Sequence, residues 1–415
     1  MITAAPSRVM ACLVALLAGC PVLVNIVATY ISDGESFMIT TASSILVVLG
    51  MISVVVMRGV TLRLNGPFGV FAIVAAIFWI QFFILALSFP SQNSESLMQM
   101  LPAYAVLWIV VPLTCVMLTR HVFDTRQVFS AALVLMALYV FLTALRFALG
   151  LGKYHAGRWA PGESLEAIRA GRYTATAVFV FVVTLAMPEA VRWQRILATL
   201  SLGPACFLLI SANARGPWLA LCCGFLLTAP GIIKMLVHRI NQDVRIGVMA
   251  VLFGVAILIG IGSMLGSVES NFARLFDTSQ DGGSAAGRSA LLYDYLALFT
   301  FQPSGWLTGF GYGHELFYPH NLFVEIVSVG GLPMLCLFLF LIGLVFSRGL
   351  GPAWGGDGLS VVFFGLLIIG LGGAQFSGSL ANELMPWLTA PLVLMRAEEL
   401  TLIQVDEDPT TEGAS

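Results

Sequence analysis

The sequence predicts an all-α polytopic membrane protein with about twelve transmembrane helices and a large external loop that contains an amphipathic helix. Three observations predict this fold class. Hydrophobic residues make up 59% of the 415 residues and charged residues only 10%, whereas a soluble protein carries about 25% charged residues. The mean hydropathy is +0.94. Apolar runs of roughly twenty residues, the length that spans a bilayer as a helix, recur along the chain.

The same composition excludes several classes of protein. A formal net charge of −2 leaves no basic field for a nucleic acid, and the apolar content excludes a soluble enzyme and a disordered chain. The apolar runs also lack the alternation of a transmembrane β-barrel. The seven cysteines lie inside apolar runs without metal or redox spacing, so we predict neither a metal site nor a cofactor.

The candidate spans follow one another from the N-terminus. Residues 17–20 resemble a lipoprotein cleavage box, but the apolar run continues to Tyr30, which indicates a first helix instead. Pro386 and Pro391 interrupt the last apolar run. The predicted spans are 9–30, 37–57, 68–89, 101–119, 128–150, 173–188, 196–212, 216–236, 246–265, 320–346, 359–376 and 380–396.

The distribution of charge over the short loops predicts the orientation. When the N-terminus is placed in the cytoplasm, most lysines and arginines fall in inner loops, while Asp33, Glu35 and Glu95 fall in outer loops, as the positive-inside rule requires. Both termini are therefore expected in the cytoplasm. We predict a single transmembrane domain over residues 1–397 and a disordered acidic tail over residues 398–415.

The lysines and arginines that do not fit this pattern lie mainly in two predicted external loops, at about 151–172 and 266–319. Long ordered loops in compact proteins are commonly functional. The alternative is that long loops escape the charge rule and that their cations bind anionic membrane lipids. The cations that fall outside are Lys153, Arg158, Arg169, Arg172, Arg215, Arg274 and Arg288.

Arg215 is predicted at the external N-terminus of a span. Pro217 suits the first turn of a helix, because its missing N–H is not needed there. The helix dipole and the positive-inside rule both disfavour a cation at this position. A bound anion would gain from the free N–H groups and from the guanidinium. We therefore interpret Arg215 as an anion-binding residue, with contact to lipid headgroups as the alternative.

Arg288 lies at the start of a second predicted external element. The residues after it repeat apolar side chains at helical spacing, which predicts an amphipathic helix on the outer face of the bilayer. Arg288 lies at the N-terminal end of this helix, at the level of lipid phosphates. The apolar positions are Leu291, Leu292, Tyr295, Leu298 and Phe299.

His320 is predicted at the N-terminal end of the tenth span. The run Gly309–Gly313 has GxGxG spacing but no preceding strand, so we interpret it as a flexible turn back to the membrane rather than a nucleotide motif. Asn321 can cap the helix that follows, which places His320 where the dipole disfavours an imidazolium. A neutral imidazole can accept a proton. Glu325 shares a face with Asn321 and needs a partner inside the span.

At these residues the sequence resembles the superfamily of O-antigen ligases and polymerases of bacterial polysaccharide assembly. The resemblance covers at least residues 170–345, and about twelve helices fit it. Met334 departs from the pattern, because family members often carry a glycine at that position. The matching features are Ala214-Arg215-Gly216, the large external loop, Gly287-Arg288-Ser289, the Gly309–Gly313 turn, Pro319-His320-Asn321, Glu325 and Gly330-Gly331.

The resemblance implies a metal-independent glycosyl transfer at the periplasmic face of the bacterial inner membrane. The donor would be a glycan on undecaprenyl diphosphate and the acceptor a hydroxyl of the lipid A–core oligosaccharide, without a nucleotide sugar. Arg215 and Arg288 would bind the diphosphate, and His320 would be the general base of an inverting displacement. Further candidates for this site are Arg169, Arg172, His314, Asn321 and Glu325.

Two other functions stay open. A polymerase of the same superfamily would use the same donor and take a second undecaprenyl-linked glycan as acceptor; we favour the ligase. A transporter or lipid flippase also suits about twelve helices, but transporters place polar groups and broken helices near the bilayer midplane, often in repeated halves. Arg146, Glu325 and residues 382–383 are the clear intramembrane polar candidates in the sequence, and it contains no obvious repeat.

Overall fold

The fold was obtained as a computed structural model. It describes residues 9–10, 12–14, 36–58, 66–88, 105–118, 124–155, 158–161, 167–212, 214–242, 285–311, 321–377 and 384–407. The predicted span 246–265 lies outside these residues, as does most of the predicted span 9–30.

Helices account for nearly all of the described chain. Between the fourth and fifth helices lies one antiparallel hairpin, formed by β1 (Lys153–His155) and β2 (Arg158–Ala160). A π-helical turn, Val106–Val110, leads into the third helix. The helices are α1 (Ser36–Arg58), α2 (Gly66–Ser88), α3 (Val111–Leu118), α4 (Thr125–Ala148), α5 (Ala167–Ala186), α6 (Arg192–Ala212), α7 (Arg215–Gln242), α8 (Ala285–Phe301), α9 (Gly305–Thr308), α10 (Leu322–Gly355), α11 (Gly358–Ser377) and α12 (Leu384–Glu407).

Seven helices of the described residues are long and apolar enough to cross a membrane. These are α2, α4, α5, α6, α7, α10 and α11. The predicted class, a helical multi-pass membrane protein, is confirmed at this level, while the total of about twelve spans stays a prediction.

Two boundaries differ from those predicted. The external segment 151–172 is not all loop, because it contains the β1–β2 hairpin and because α5 already begins at Ala167. The tail predicted to be disordered from residue 398 is helical through Glu407, as part of α12. Residues 408–415 lie outside the described residues. In both places long-range contacts stabilise structure that the local composition does not indicate.

The contacts that hold α12 form a network of four side chains, here called the Arg396 network. The Arg396 guanidinium donates to both carboxylate oxygens of Asp357, at 2.9 Å from Nε and 2.6 Å from Nη2. It also donates to Glu399 Oε2 at 2.9 Å, and the Thr125 hydroxyl donates to the same oxygen at 2.7 Å. The start of α4, the start of α11 and the middle of α12 therefore meet.

Asp357 also builds the turn between α10 and α11. Gly356 ends α10 with a φ of 93°, a left-handed conformation that glycine adopts without steric cost. The Asp357 carboxylate then accepts from the backbone N–H of Ser360 at 2.9 Å and from its hydroxyl at 2.7 Å, as an N-cap does. Burial alone would raise the pKa of Asp357, but the hydrogen bonds from Arg396 and Ser360 outweigh it, and the pKa lies below the ordinary value of 3.8.

Aromatic side chains fill the core where α2, α10 and α12 meet. The ring of Phe78 lies 5.4 Å from that of Trp387 and 6.0 Å from that of Phe338. Trp79 lies 5.0 Å from Trp387. Elsewhere helices approach closely at glycines, and Gly365 of α11 lies directly against the ring of Phe179 on α5. Because lipid is as apolar as these side chains, close packing of this kind is what holds membrane helices together.

We predict that Asp357→Asn destabilises the protein through the loss of charge, since asparagine still caps α11. The two side chains of the pair are 9% and 16% exposed, and removing one partner of a buried ion pair costs about 3 kcal/mol or more. The measurement is the thermal unfolding of detergent-solubilised protein at pH 7. Asp294→Asn, which alters an exposed carboxylate on α8, is the matched control.

The effect has a defined pH dependence. Since the pKa of Asp357 is lowered by folding, the pair stabilises the protein above pH 3.8, and this stabilisation is lost as the pH falls through the lower folded-state pKa. The variant and the native protein should therefore converge in strong acid and stay apart at neutral pH. Equal melting temperatures at pH 7 would contradict the role given to the pair.

Candidate functional site

The starts of α5 and α7 meet at the end of the bundle opposite the Arg396 network. A Cβ placed on Gly171 would lie 3.0 Å from Cγ of Pro217 and 3.5 Å from Cβ of Ala212. The end of α6 therefore lies at the same point. Helix α7 begins at Arg215 with Pro217 as its third residue, which confirms the predicted helix start. The side chain of Arg215 lies outside the described residues.

Arg172 and Arg169, the further candidates on α5, differ in their surroundings. Arg172 is partly buried, and its guanidinium donates to the backbone carbonyl of Gly373 near the end of α11. The neighbouring Gly372 lies against Ala220 of α7. Arg169 is exposed one turn earlier. Arg172 therefore connects α5 to α11, whereas Arg169 is exposed at the same end of the bundle.

The β1–β2 hairpin covers this end beside α4 and α6. Trp159 is 3% exposed, and its ring lies 5.1 Å from that of Phe147, which in turn lies 4.8 Å from that of Phe207. Gly152 precedes the hairpin with a φ of 151°, and the indole of Trp159 occupies the place where a Cβ would lie. The large aromatic side chain therefore anchors the hairpin, which includes Lys153 and Arg158, two of the cations predicted to be external.

The helix that follows His320 is broken one third of the way along. Gly331 has a φ of 69° and a ψ of −168° inside α10, and Pro333 has no N–H to donate to the carbonyl of Val329. The carbonyls of Ser328 and Val329 accept instead from the N–H groups of Phe310, at 2.6 Å, and Gly311, at 3.3 Å. Residues 322–330, here called the half-helix, are thus bonded sideways to the turn that follows α9.

This turn requires glycine at positions where another part of the backbone lies too close for a side chain. Gly309 has a φ of 69°, and the Val329 carbonyl occupies the place where its Cβ would lie. A Cβ on Gly331 would lie 2.7 Å from the carbonyl carbon and oxygen of Leu307. Within the predicted turn at Gly309–Gly313, Gly309–Gly311 are docked on α10, which the sequence did not indicate. Residues 312–313 lie outside the described residues.

Asn321 caps the half-helix, as the sequence predicts. Its side-chain oxygen accepts from the backbone N–H groups of Phe323 and Val324, both at 3.1 Å. This cap fixes the point at which the chain enters the helix directly after His320. His320 and His314 themselves lie outside the described residues, so their predicted roles stay predictions.

Helix α8, which carries Arg288, packs on the half-helix. Tyr295 and Phe299 are buried against Val327. Leu292 is 39% exposed, so the predicted apolar stripe is divided between a face on the protein and a face that points outward. Glu325, 3% exposed, lies in the first turn of the half-helix. The side chain of Arg288 lies outside the described residues.

The candidate residues therefore form two groups. Arg169 and Arg172 lie in the first two turns of α5 and Arg215 begins α7, and the starts of these helices touch. Asn321 and Glu325 lie on the half-helix, and α8 beside it carries Arg288 in its first turn. Since α10 packs on both α7 and α11, the groups belong to one bundle. Helix N-termini and cations at one end favour anion binding there.

Sequence reasoning missed the break in α10 and the contact of Arg172 with Gly373. The pair Gly330-Gly331 followed by Pro333 could have indicated the break, because proline removes a helical hydrogen bond and glycine tolerates a positive φ. No protein-family model matches the chain, and no curated protein is similar to it. The function must therefore follow from the residues and their arrangement.

We predict that Gly331→Ala displaces the half-helix. The conformation at this position is adopted essentially only by glycine, and another residue there costs about 1–3 kcal/mol before the clash with the Leu307 carbonyl is added. Thermal unfolding and the accessibility to a thiol reagent of a cysteine placed at Phe323, which is 40% exposed on the half-helix, are the measurements. The variant should unfold at lower temperature and label faster.

Gly343→Ala is the matched control on the same helix. No atom lies within 4 Å of the Cβ that this change adds, and alanine favours a helix over glycine by about 1 kcal/mol. The control should leave labelling unchanged and the melting temperature equal or higher. If Gly331→Ala behaved like Gly343→Ala, the break would not be a constraint on the half-helix.

Proposed function

We propose that this protein is a glycosyltransferase of the bacterial inner membrane that joins a glycan from an undecaprenyl-diphosphate donor to a hydroxyl of the lipid A–core oligosaccharide. It acts at the periplasmic face, and both termini lie in the cytoplasm. In this reaction it is an O-antigen ligase, the activity implied by the resemblance of residues 170–345 to that superfamily.

One observation supports this proposal more than the others. The N-terminal turns that carry Arg172 and Arg215 touch, through Gly171 and Pro217, at the end of the bundle opposite the Arg396 network. A diphosphate at this end would meet free backbone N–H groups and guanidinium groups together. Arg215 and Arg288 are the proposed ligands of the diphosphate, since Arg172 already donates to Gly373.

The chemistry needs a base and a stabilised leaving group. The acceptor hydroxyl attacks the anomeric carbon of the donor glycan, while the bond from that carbon to the phosphate oxygen breaks. The hydroxyl proton passes to His320, and undecaprenyl diphosphate departs with the bonding electron pair. A lipid diphosphate is already an activated donor, so the reaction requires no nucleotide sugar. Direct displacement inverts the anomeric carbon.

The arrangement of the half-helix supports the role proposed for His320. Asn321 caps the half-helix, and the turn after α9 holds the other end of the half-helix through backbone hydrogen bonds. A general base acts only within hydrogen-bond reach of the proton it removes. The fixed half-helix therefore supports the role proposed for His320, which directly precedes its cap.

The arginines provide the first test. We predict that Arg215→Ala and Arg288→Ala each lower glycan transfer by about 10- to 100-fold, the effect of removing a charge-assisted contact of roughly 1.5–3 kcal/mol. Lysine at either position should restore part of the rate, because it keeps the charge without bidentate geometry. Transfer is measured with purified protein, undecaprenyl-diphosphate glycan and lipid A–core.

Arg192→Ala is the matched control, because Arg192 is an exposed arginine at the start of α6, at the opposite end of the bundle. It should leave transfer unchanged. Near-normal transfer in both Arg215→Ala and Arg288→Ala would refute the proposed diphosphate site. Elongation of the donor glycan without transfer to lipid A–core would instead identify a polymerase.

His320 provides the second test. We predict that His320→Ala lowers kcat by about two to four orders of magnitude, as the loss of a positioned general base does, while the affinity for the donor lipid stays the same. Turnover and donor binding are measured separately on the same preparations. Unchanged turnover together with weakened donor binding would make His320 a binding residue and exclude it as the base.

A further inference from the structure

The outward surface of α8 and α9 is both apolar and exposed. Large apolar side chains on these two helices are exposed to between 37%, for Trp306, and 84%, for Phe301. Asp294 is the one charged residue between Ser289 and Gly311. An exposed apolar patch of this kind marks a surface that binds a protein or a membrane. The residues of this patch, here called the α8–α9 surface, are Leu292, Tyr293, Leu296, Phe301, Trp306 and Leu307.

This surface differs from the apolar stripe that the sequence predicts. Tyr295 and Phe299 of that stripe are buried, and they pack against Val327 of the half-helix. The ring of Phe299 also stacks at 4.4 Å on that of Trp306, which holds α9 against the end of α8. One side of α8 is therefore bound to the half-helix, while the α8–α9 surface lies on the exposed side.

The depth of α9 in the bundle follows from the length of α10. A Cβ on Gly331 would lie 2.7 Å from the carbonyl oxygen of Leu307 and 2.8 Å from that of Trp306, so α9 lies at the level of the break. The Arg396 network adjoins the far end of α10, at Gly355, and its charged side chains belong outside the hydrocarbon core. From Gly331 to Gly355 the helix rises about 36 Å, slightly more than the roughly 30 Å core. Trp306 and Leu307 therefore lie at the opposite membrane surface.

The α8–α9 surface is continuous with the lipid-facing side of α10. Leu332 directly follows Gly331 and is exposed, as are Leu339 and Phe340 further along this candidate span. Exposed apolar side chains on a spanning helix face lipid tails, which are as apolar as leucine. Tryptophan is enriched at the interface between lipid and water, the level at which Trp306 lies. Depth and continuity thus favour lipid over a protein partner.

We propose that the α8–α9 surface is inserted into the bilayer leaflet on the side opposite the Arg396 network. Its partner is the lipid at the boundary between headgroups and acyl chains, where interfacial helices bury their apolar side. Helices α8 and α9 then form a layer between this lipid and the half-helix. The inference does not depend on the proposed glycosyl transfer, so either can fail without the other.

Photocrosslinking tests the contact with lipid. A benzophenone-bearing phenylalanine is placed at one position at a time in the full chain, and the protein is reconstituted in vesicles of phosphatidylethanolamine and phosphatidylglycerol. Illumination should give lipid adducts, detected by mass spectrometry, from Leu307 and from Phe301. The positive control is Leu226, which is exposed in the middle of the candidate span α7.

Leu402 is the matched negative control. It is exposed to the same extent as Leu307, 67%, but it lies on α12 six residues beyond Arg396, in an acidic segment. It should give no lipid adduct. If Leu307 and Phe301 behaved like Leu402, the insertion would be refuted. Crosslinks from these two positions to a second copy of the chain, in place of lipid, would also overturn it and would identify a protein interface.

A charge placed on the α8–α9 surface provides a second measurement. Phe301→Asp and Leu307→Asp should each raise amide hydrogen exchange in α8 and α9 of the reconstituted protein by about 10-fold or more, because an ionised carboxylate is expelled from apolar surroundings and local opening becomes easier. Leu402→Asp should leave exchange in α12 unchanged. Native exchange rates in both variants on the α8–α9 surface would mean that this surface lies in water, contrary to the proposal.

Discussion

The break of α10 at Gly331 is the constraint on which the rest of the candidate site depends. Backbone N–H and C=O groups in a membrane protein must be satisfied within the protein, and the break leaves the carbonyls of Ser328 and Val329 without helical partners. In the turn after α9, the backbone N–H groups of Phe310 and Gly311 donate to these carbonyls. A straight helix of 34 residues would measure about 51 Å, well beyond the roughly 30 Å hydrocarbon core. The break divides this length into the half-helix and a longer segment that begins after Gly331.

The two ends of the bundle are held by different forces. At one end, side chains of the Arg396 network connect the starts of α4 and α11 to the middle of α12. At the other end, glycines allow backbones to touch, as at Gly171 against Pro217 and Gly309 against Val329. A transporter would also use a broken helix, but within the described residues α10 is the helix with a non-helical residue inside it, so the paired breaks of a repeated architecture are not seen there.

The sequence predicts those features of the fold that local chemistry determines. Hydropathy places α6 and α11 within four residues of their observed bounds, and the signals at Pro217 and Asn321 identify the helix starts correctly, because a proline in the first turn and an asparagine cap act on neighbouring residues. What the sequence could not show depends on distant partners. Arg396 meets Asp357, 39 positions earlier, which extends α12 through a segment whose acidic composition suggests disorder. The hairpin before α5 likewise depends on Trp159 finding Phe147.

The same reasoning ranks the candidate cations by what surrounds them. A cation in an external loop is by itself weak support for a ligand site, and Arg172 shows why: its guanidinium donates to the Gly373 carbonyl and joins α5 to α11, so the structure itself gives a reason for an arginine at this position. Arg215 begins α7, where the helix dipole opposes a positive charge, and this cost calls for an anion to offset it. Glu325 presents the reverse case, a carboxylate in the first turn of the half-helix, where the dipole favours it but burial does not.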